Sequence, residues 1–332
     1  MRRSKKLINK PGDEVTEMVD GMLLASPKLV RRIPGWNTLV RADAPVKGRV
    51  ALISGGGSGH EPAHLGYVGR GMLTAACAGE VFTSPSVVQV FEAIKELDAG
   101  NGTLLIVKNF AGDVMNFRTA AQLAQAQGRV VDWVVVNDDV SIESPENRRG
   151  IAGTVFVHKC SGARAEEGGS LAEVKMVAQK VIQNVRSMSC ALSSCTVPSV
   201  GRPTFELGQD EMEFGIGIHG ERGTRKDRVM TADEVAAVLT ERCLSELAVG
   251  EADEVAVIVQ GNGGTPVMER FIVYRAVHRL LAGKGIKVKV AWVGEYMTTL
   301  EMAGASVSIL KLDDELERLL AAPCETIAIK QP

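Results

Sequence analysis

The sequence predicts an α/β protein with two α/β domains, each a mostly parallel or mixed sheet flanked by helices. Apolar runs of strand length alternate with segments of helical periodicity, and this alternation occurs twice along the chain. A stretch rich in small residues and proline separates the two series. The length of 332 residues fits one large or two medium domains.

In the first half, near-continuous apolar runs predict strands that are covered on both faces of their sheet. These runs are 49–54, 72–77, 102–108 and 130–137. Segments 86–97 and 113–127 between them have helical periodicity, so a mostly parallel sheet is expected. Segment 170–185 predicts an amphipathic helix, in which Ser170 and Glu173 form a capping box.

The stretch 187–205 marks the predicted boundary between domains 1–186 and 187–332. The first contains a glycine-rich loop, and the second contains an unusual histidine segment. Segment 211–220 is expected to end in a strand, and 231–247 to form a helix capped by Thr231. The remaining segments predict a strand, a helix and two further strands at 254–260, 266–285, 287–294 and 305–312.

Composition argues against several classes of function. The formal net charge is -2 and aromatic residues make up 4%, so neither a basic field nor stacking platforms for nucleic acid are expected. The longest apolar runs are of strand length, so no membrane span is expected. The basic start is interpreted as a solvated arm rather than a secretory signal, and a cytoplasmic location is expected. The six cysteines lack metal-site spacing, so no metal site is predicted.

The stretch "SGGGSGHEP" (54–62) follows a predicted strand but matches neither nucleotide motif. A Walker A frame places His60 or Glu61 where its second glycine should be, and a Rossmann frame places His60 in the third glycine slot. A tight strand-to-helix turn would explain the glycines, with Pro62 in the first helical turn. It would not explain the titratable residues before Pro62. Successive backbone N–H groups at such a turn can bind oxygen atoms, so a small oxygen-rich ligand is expected.

Two further stretches contain candidate functional side chains. In "GIGIHGERG" (215–223), His219 could be a structural histidine at a strand end, but flanking glycine favours close approach of another molecule. In "VKNFAGDVMNF" (107–117), Lys108 ends a strand and Asp113 could be a helix N-cap. The carboxyl ends of parallel strands converge on ligand sites, which favours a functional role for Asp113 and His60.

Four segments together closely resemble the DhaK family, the dihydroxyacetone-binding subunits and domains of dihydroxyacetone kinases. They are "LISGGGSGHEPAHLGYVGRGMLTAACAGEVFTSP", "LLIVKNFAGDVMNF", "CTVPSVGRPTFELGQDEMEFGIGIHGE" and "GGTP". The resemblance runs from about residue 6 to about residue 323.

This resemblance implies a two-domain α/β subunit that works as a homodimer. It implies that His219 bonds covalently to the substrate carbonyl carbon as a hemiaminal, and that His60 and Asp113 act in acid–base roles. It also implies contacts to the substrate oxygens from Gly57, Ser58, Gly59, Ser84 and Lys108.

The chemistry fits these roles. A neutral imidazole nitrogen is a fair nucleophile near neutral pH, and its adduct stays tetrahedral because loss of water would give a strained cation. Such an adduct selects ketones over polyols such as glycerol, which have no carbonyl. Asp113 can then accept the proton of the terminal hydroxyl as that oxygen attacks phosphorus, with His60 assisting.

The phosphoryl donor is expected on another subunit, because nine residues follow Pro323 and the family's helical nucleotide domain is not among them. No cofactor is therefore expected on this chain. The resemblance implies a DhaL-like partner that carries ADP or ATP with Mg²⁺. A DhaM-like phosphocarrier subunit recharges that partner in phosphotransferase-dependent systems, whereas other systems use ATP directly.

Two alternatives remain. The first is a kinase subunit for a four-carbon ketose such as erythrulose, with the same hemiaminal chemistry. The second is a non-catalytic dihydroxyacetone sensor that activates a transcription factor. The presence of His60 and Asp113 beside His219 favours the enzyme.

Overall fold

The computed structural model describes residues 5–332, so the first four residues of the predicted N-terminal arm lie outside the described residues. The described chain forms two compact units. The first unit consists of 5–136, 156–181 and 318–332, and the second consists of 137–155 and 182–317. The domain division at residue 187 stays a prediction, since both units are assembled from more than one stretch of chain.

Helices of eight to seventeen residues occur throughout the described chain. They are α1 (Glu14–Ala25), α2 (Val87–Leu97), α3 (Ala111–Ala126), α4 (Thr154–Glu166), α5 (Leu171–Asn184), α6 (Ala232–Leu244), α7 (Val267–Gly283) and α8 (Asp314–Ala321). Short 3₁₀ turns lie at Leu65–Tyr67 and Pro145–Asn147. None of the helices within residues 5–332 combines the length and apolarity that crossing a bilayer requires.

The strands form two six-stranded sheets and one small sheet of three strands. They are β1 (Val30–Arg32), β2 (Thr38–Arg41), β3 (Ala51–Ser58), β4 (Gly69–Arg70), β5 (Ala75–Val81), β6 (Thr103–Lys108), β7 (Val131–Val136), β8 (Val185–Ala191), β9 (Glu211–Phe214), β10 (Arg225–Arg228), β11 (Glu254–Gln260), β12 (Lys287–Gly294), β13 (Gly304–Lys311), β14 (Cys324–Thr326) and β15 (Lys330–Gln331).

The sheet of the first unit has the order β1-β2-β5-β3-β6-β7. Strands β5, β3, β6 and β7 are parallel, whereas β2 runs antiparallel to both of its neighbours. Apolar side chains of α2 and α3, among them Ile94 and Phe117, pack with Ile53 and Leu105 of the central strands. Full burial of each such side chain contributes about 1.5–3 kcal/mol. This packing fixes the parallel strands, whose carboxyl ends carry the predicted loop residues.

The sheet of the second unit has the order β10-β9-β8-β13-β11-β12, in which β11 and β12 are parallel and the other pairs are antiparallel. Helices α6 and α7 pack on β8, β11 and β13 through a buried apolar cluster. Helix α6 begins at the predicted capping box, where the Thr231 hydroxyl accepts the Glu234 N–H and the Glu234 carboxylate accepts the Thr231 N–H. The α/β fold class is therefore confirmed, and each six-stranded sheet is mixed.

Two local expectations were wrong, and one alternative is excluded. The strand of segment 211–220 ends at Phe214, because Gly215 has a φ of +73° that extended backbone does not allow. His219 therefore lies in a turn rather than at a strand end. No α-helix begins at Pro62, which is followed by a single 3₁₀ turn. The N-cap of α3 is Phe110, so Asp113 is not the helix cap.

Candidate active site

The glycines of "SGGGSGH" lie inside strand β3 and not in a loop after it, because neighbouring backbone leaves no room for side chains there. A Cβ on Gly55 would lie 2.3 Å from the carbonyl oxygen of Cys77, and one on Gly57 would lie 2.5 Å from the backbone nitrogen of Thr83. Separations this short do not occur between real atoms, so both positions require glycine. The chain then turns at Gly59, where φ is +100°.

A buried ion pair lies at the carboxyl end of the parallel strands. Lys108, the last residue of β6, is fully buried, and its Nζ lies 3.1 Å from Oδ2 of Asp113 on α3. The Ser84 hydroxyl donates to the other carboxylate oxygen of Asp113. A Cβ on Gly56 would lie 2.5 Å from Lys108 Nζ, so the ammonium group packs against the glycine strand. Lys108, Ser84 and Asp113 are thus in direct contact at this end of the sheet.

His60 contacts the chain segment that carries Ser84. Its ring is buried and stacks on Phe82, with the ring centroids 5.2 Å apart and the planes 18° apart. The Phe82 N–H donates to the Ser58 carbonyl, which fixes this segment to the end of β3. The Ser58 hydroxyl donates to the Gly79 carbonyl at 2.8 Å. The Glu61 carboxylate accepts the Gly59 N–H, and burial raises the pKa of Glu61.

Two further histidines lie in the first unit, and no motif in the sequence pointed to them. His64 Nδ1 lies 3.0 Å from His158 Nε2, and both rings are buried. Burial, followed by the positive charge of Lys108, lowers the pKa of both rings, that of His158 to about 3. They come from positions 94 residues apart, so only the fold brings them together. Both are neutral near pH 7, so the positive charge beside Asp113 belongs to Lys108.

His219 lies in a turn of the second unit and is held by a carboxylate. Its Nδ1 lies 3.0 Å from Glu221 Oε1, and its backbone N–H donates to Oε2 at 2.9 Å. Burial opposes ionisation of Glu221, but the hydrogen bond and charge of His219 outweigh it and lower the pKa of Glu221 to about 2. An ionised carboxylate accepts a hydrogen bond from Nδ1–H. The neutral ring then carries its lone pair on Nε2. The arrangement prepares Nε2 to act as a nucleophile.

Sequence analysis missed Glu221, although it lies two residues after His219 in "HGE". The segment was expected to be extended. In an extended chain, the side chains of residues i and i+2 point the same way and do not normally hydrogen-bond to one another. The turn brings them together: the Gly217 N–H donates to the Glu221 carbonyl at 3.1 Å, and Gly220 has a φ of +74°.

The predicted site residues therefore fall into two groups. The first unit brings together Gly57, Ser58, Gly59, His60, Ser84, Lys108 and Asp113. The second unit carries His219 with Glu221.

Cysteine and metal chemistry find no support among the described residues. All six cysteines are buried, and burial raises the pKa of Cys77 and Cys190 to about 12. A thiol with so high a pKa is a poor nucleophile at neutral pH. Across residues 5–332, no three side chains of histidine, cysteine, aspartate or glutamate are grouped as metal ligands.

Comparison with known proteins identifies relatives over nearly the whole chain. The family model of the Dak1 domain matches residues 20–328. The chain is 50% identical to the PTS-dependent dihydroxyacetone kinase 1, dihydroxyacetone-binding subunit DhaK, of Listeria innocua, over 98% of this chain and 99% of that protein.

Solved structures extend this comparison to the fold. The dihydroxyacetone kinase of C. freundii aligns with a TM-score of 0.90 and 37% identity over 99% of this chain, which spans 61% of that kinase. The dihydroxyacetone kinase operon co-activator DhaQ aligns with a TM-score of 0.90 and 33% identity, over 97% of this chain and 99% of DhaQ. The predicted resemblance is confirmed: the chain belongs to the Dak1 family, the family of the dihydroxyacetone-binding subunits of dihydroxyacetone kinases.

Proposed function

We propose that this chain is the dihydroxyacetone-binding subunit of a dihydroxyacetone kinase and that it holds the ketose as a hemiaminal on His219. The observation that carries this proposal is the contact between His219 Nδ1 and the Glu221 carboxylate. A histidine held in this way presents the lone pair of Nε2 to a carbonyl carbon. The identity to the Listeria innocua DhaK subunit supports the choice of substrate.

In the covalent step, Nε2 of His219 attacks the carbonyl carbon of the ketose. A C–N bond forms, the π electrons of the carbonyl move to oxygen, and this oxygen takes a proton from solvent to become a hydroxyl. The ring gains positive charge as it bonds, and the Glu221 carboxylate compensates that charge. The step reverses by the same path, so the bond selects ketones without consuming the substrate.

In the transfer step, the Asp113 carboxylate accepts the proton of a terminal hydroxyl as that oxygen attacks phosphorus. Lys108 Nζ lies 3.1 Å from Asp113 Oδ2 and holds that carboxylate in place. His60, held against Phe82, assists the proton transfer. Gly57, Ser58, Gly59 and Ser84 contact the substrate oxygens, and the Ser58 hydroxyl does so as an acceptor because it donates to Gly79.

The phosphoryl group comes from a DhaL-like partner subunit that carries ADP or ATP with Mg²⁺, where ATP would be the donor and ADP the leaving group. The name of the Listeria innocua relative favours a phosphotransferase-dependent system, in which a DhaM-like phosphocarrier recharges that partner. The C. freundii kinase, of which this chain spans 61%, is known in complex with AMP-PNP and Mg²⁺. We also propose that the subunit works as a homodimer in the cytoplasm.

The proposed function is tested by a phosphorylation assay over a panel of ketoses, run with the chain alone and with candidate partner subunits. We expect phosphorylation of dihydroxyacetone when a nucleotide-carrying partner is present, and none by the isolated chain with ATP. Erythrulose in the panel tests the four-carbon alternative. Phosphorylation by the isolated chain at the rate of the full system would refute the partner-dependent mechanism.

The partner is expected to contact exposed basic residues after the His219 turn. Arg222, Arg225 and Lys226 are exposed, and Lys226 is paired with Glu211 at 3.3 Å in an exposed ion pair. Exposed charges steer association and are screened by salt. Charge reversal there should weaken the complex more at low salt than at high salt.

A second candidate function is favoured by the alignment with DhaQ, a dihydroxyacetone kinase operon co-activator. A sensor needs the ligand-holding histidine but has no use for a general base. The buried Lys108–Asp113 pair and the Ser84 contact to Asp113 therefore favour the enzyme. Dihydroxyacetone binding without phosphorylation by any partner subunit would favour the sensor.

A further inference from the structure

A buried ion pair in the second unit has no role in the proposed reaction. The Arg149 guanidinium donates from Nε to Asp139 Oδ2 at 2.8 Å, and its terminal nitrogen lies 2.7 Å from the same oxygen. The other Asp139 oxygen accepts the N–H and the hydroxyl of Ser141 at 3.0 and 2.6 Å. The Asp139 side chain is 1% exposed. Removing either partner of such a pair would leave the other charge without compensation.

Arg149 also contacts the turn that carries His219. Its terminal nitrogen donates to the Gly215 carbonyl at 2.7 Å, at the point where the chain leaves strand β9. A Cβ on Gly217 would lie 2.5 Å from another Arg149 nitrogen and 2.0 Å from Glu221 Oε2. The guanidinium and the Glu221 carboxylate thus pack against the same point of the backbone. Glycine at position 217 is what allows both to approach.

This arrangement places a cation beside the carboxylate that orients His219. The positive charge of Arg149 adds to the effect of His219 in lowering the pKa of Glu221 to about 2, against the opposing effect of burial. An ionised Glu221 accepts a strong hydrogen bond from Nδ1–H, and a displaced Glu221 would not accept it. The state of the His219 ring therefore depends on Arg149.

We propose that Asp139 and Arg149 are positioning residues for His219. Asp139 holds Arg149, and Arg149 fixes the turn at Gly215 and keeps the Glu221 carboxylate facing Nδ1. The lone pair consequently stays on Nε2, where it can attack a carbonyl. This inference rests on the proposed covalent role of His219 and deepens it.

The test reads the His219 ring directly, before any substrate is added. Protein labelled with ¹⁵N-histidine is compared by NMR for the wild type, Arg149→Gln and Asp139→Asn, with His219→Asn to assign the signals. The matched control is Arg41→Gln, which removes a buried arginine of the first unit that is paired with Asp43 at 2.8 Å. We expect the Nδ1-protonated ring in the wild type and the control, and a mixture of tautomers in both variants.

A second readout measures the adduct with dihydroxyacetone labelled with ¹³C at its carbonyl carbon. The signal of a tetrahedral carbon reports the hemiaminal, and its apparent affinity should fall about 10- to 100-fold in Arg149→Gln, the range seen when the outer partner of a positioned histidine is removed. Guanidinium ion added to Arg149→Gln should restore part of the lost affinity. It would not do so if the substitution had only destabilised the fold.

The outcomes separate the two proposals. Folded Arg149→Gln and Asp139→Asn proteins with wild-type His219 signals would overturn the positioning role. If the Gln variant does not fold, Arg149→Lys takes its place, since lysine keeps the charge but cannot hold Asp139 and Gly215 together. The variants could show a shifted tautomer while the wild type forms no adduct. That result would support the positioning role and refute the covalent function.

Discussion

The two groups of candidate residues handle charge in opposite ways. In the first unit, Lys108 and Asp113 form an ion pair that is sealed from solvent at the end of the parallel strands. In the second unit, His219 and Glu221 form a pair on a turn, with 17% and 37% of their side chains exposed. The first pair is held by a sheet and a helix, and the second by three glycines and a largely buried arginine, Arg149.

This difference matches the chemistry proposed for each group. A group that moves a proton benefits from a fixed, dry environment, in which charge interactions are strong. A group that forms a bond to an incoming carbonyl must be reached by the ligand, so it needs exposure and a set orientation. The comparison teaches that rigidity in the first unit comes from burial, and that rigidity in the second comes from hydrogen bonds to a carboxylate.

The largest effect is expected from removing the proposed nucleophile, His219. His219→Asn keeps a donor that can reach Glu221 but has no ring nitrogen to attack a carbonyl. We expect complete loss of the covalent adduct, measured by intact mass and by the carbonyl-carbon signal of labelled dihydroxyacetone. His278→Asn is the matched control, because His278 is an exposed histidine on α7 of the same unit. A wild-type yield of adduct in His219→Asn would contradict the assignment.

The next effect should fall on the stability of the first unit. Lys108→Met leaves the Asp113 carboxylate buried without its cation, and breaking a buried pair costs about 3–5 kcal/mol. Urea unfolding of the variant measures this loss. The double variant Lys108→Met/Asp113→Asn should recover much of it, because no charge is then stranded. Equal stability of the single and double variants would show that the pair is not coupled.

These two groups also show what can be predicted from sequence. That His60 and Asp113 follow the carboxyl ends of parallel strands was predictable, because such ends meet at one edge of a sheet. That the glycines continue strand β3 was not, because glycine is depleted in strands and only the close backbone of Cys77 and Thr83 explains them. Glu221 was missed because a turn, rather than a strand, follows Phe214.

Long-range partners were beyond the reach of pattern analysis. Arg149 contacts Gly215, which lies 66 residues later in the sequence, and His64 contacts His158, which lies 94 residues later. Periodicity and spacing report on neighbours along the chain, whereas these contacts depend on sheet order and loop paths. The local chemistry of a site is therefore more readable from sequence than the residues that support it.

A smaller effect, on turnover alone, is expected from Asp113→Asn. The amide still hydrogen-bonds to a substrate but cannot accept its proton, so turnover with a partner subunit should fall by about two orders of magnitude or more. Adduct formation on His219 should persist, which separates the role of the buried group from that of the exposed one. Asp20→Asn is the matched control, because it makes the same change to an exposed carboxylate of the first unit that pairs with Arg32 at 2.7 Å. Near-normal turnover in Asp113→Asn would show that this residue has only a structural role.

The smallest effect concerns the pH dependence of the exposed pair. The folded-state pKa of Glu221 is about 2, below its ordinary value of 4.5, so the contribution of this carboxylate to stability is present above about pH 4.5 and lost as the pH falls toward 2. Because more than a third of the side chain is exposed, solvent screens the interaction and the contribution should be about 1 kcal/mol or less. The measurement is the difference in free energy of unfolding between the wild type and Glu221→Gln, at pH values on either side of this window. The difference should shrink as the pH falls, because protonation makes the wild-type side chain neutral, as glutamine already is. A difference that stays constant across the window would show that Glu221 is not held ionised by His219 and Arg149, and the contrast between a buried and a hydrogen-bonded source of rigidity would then fail.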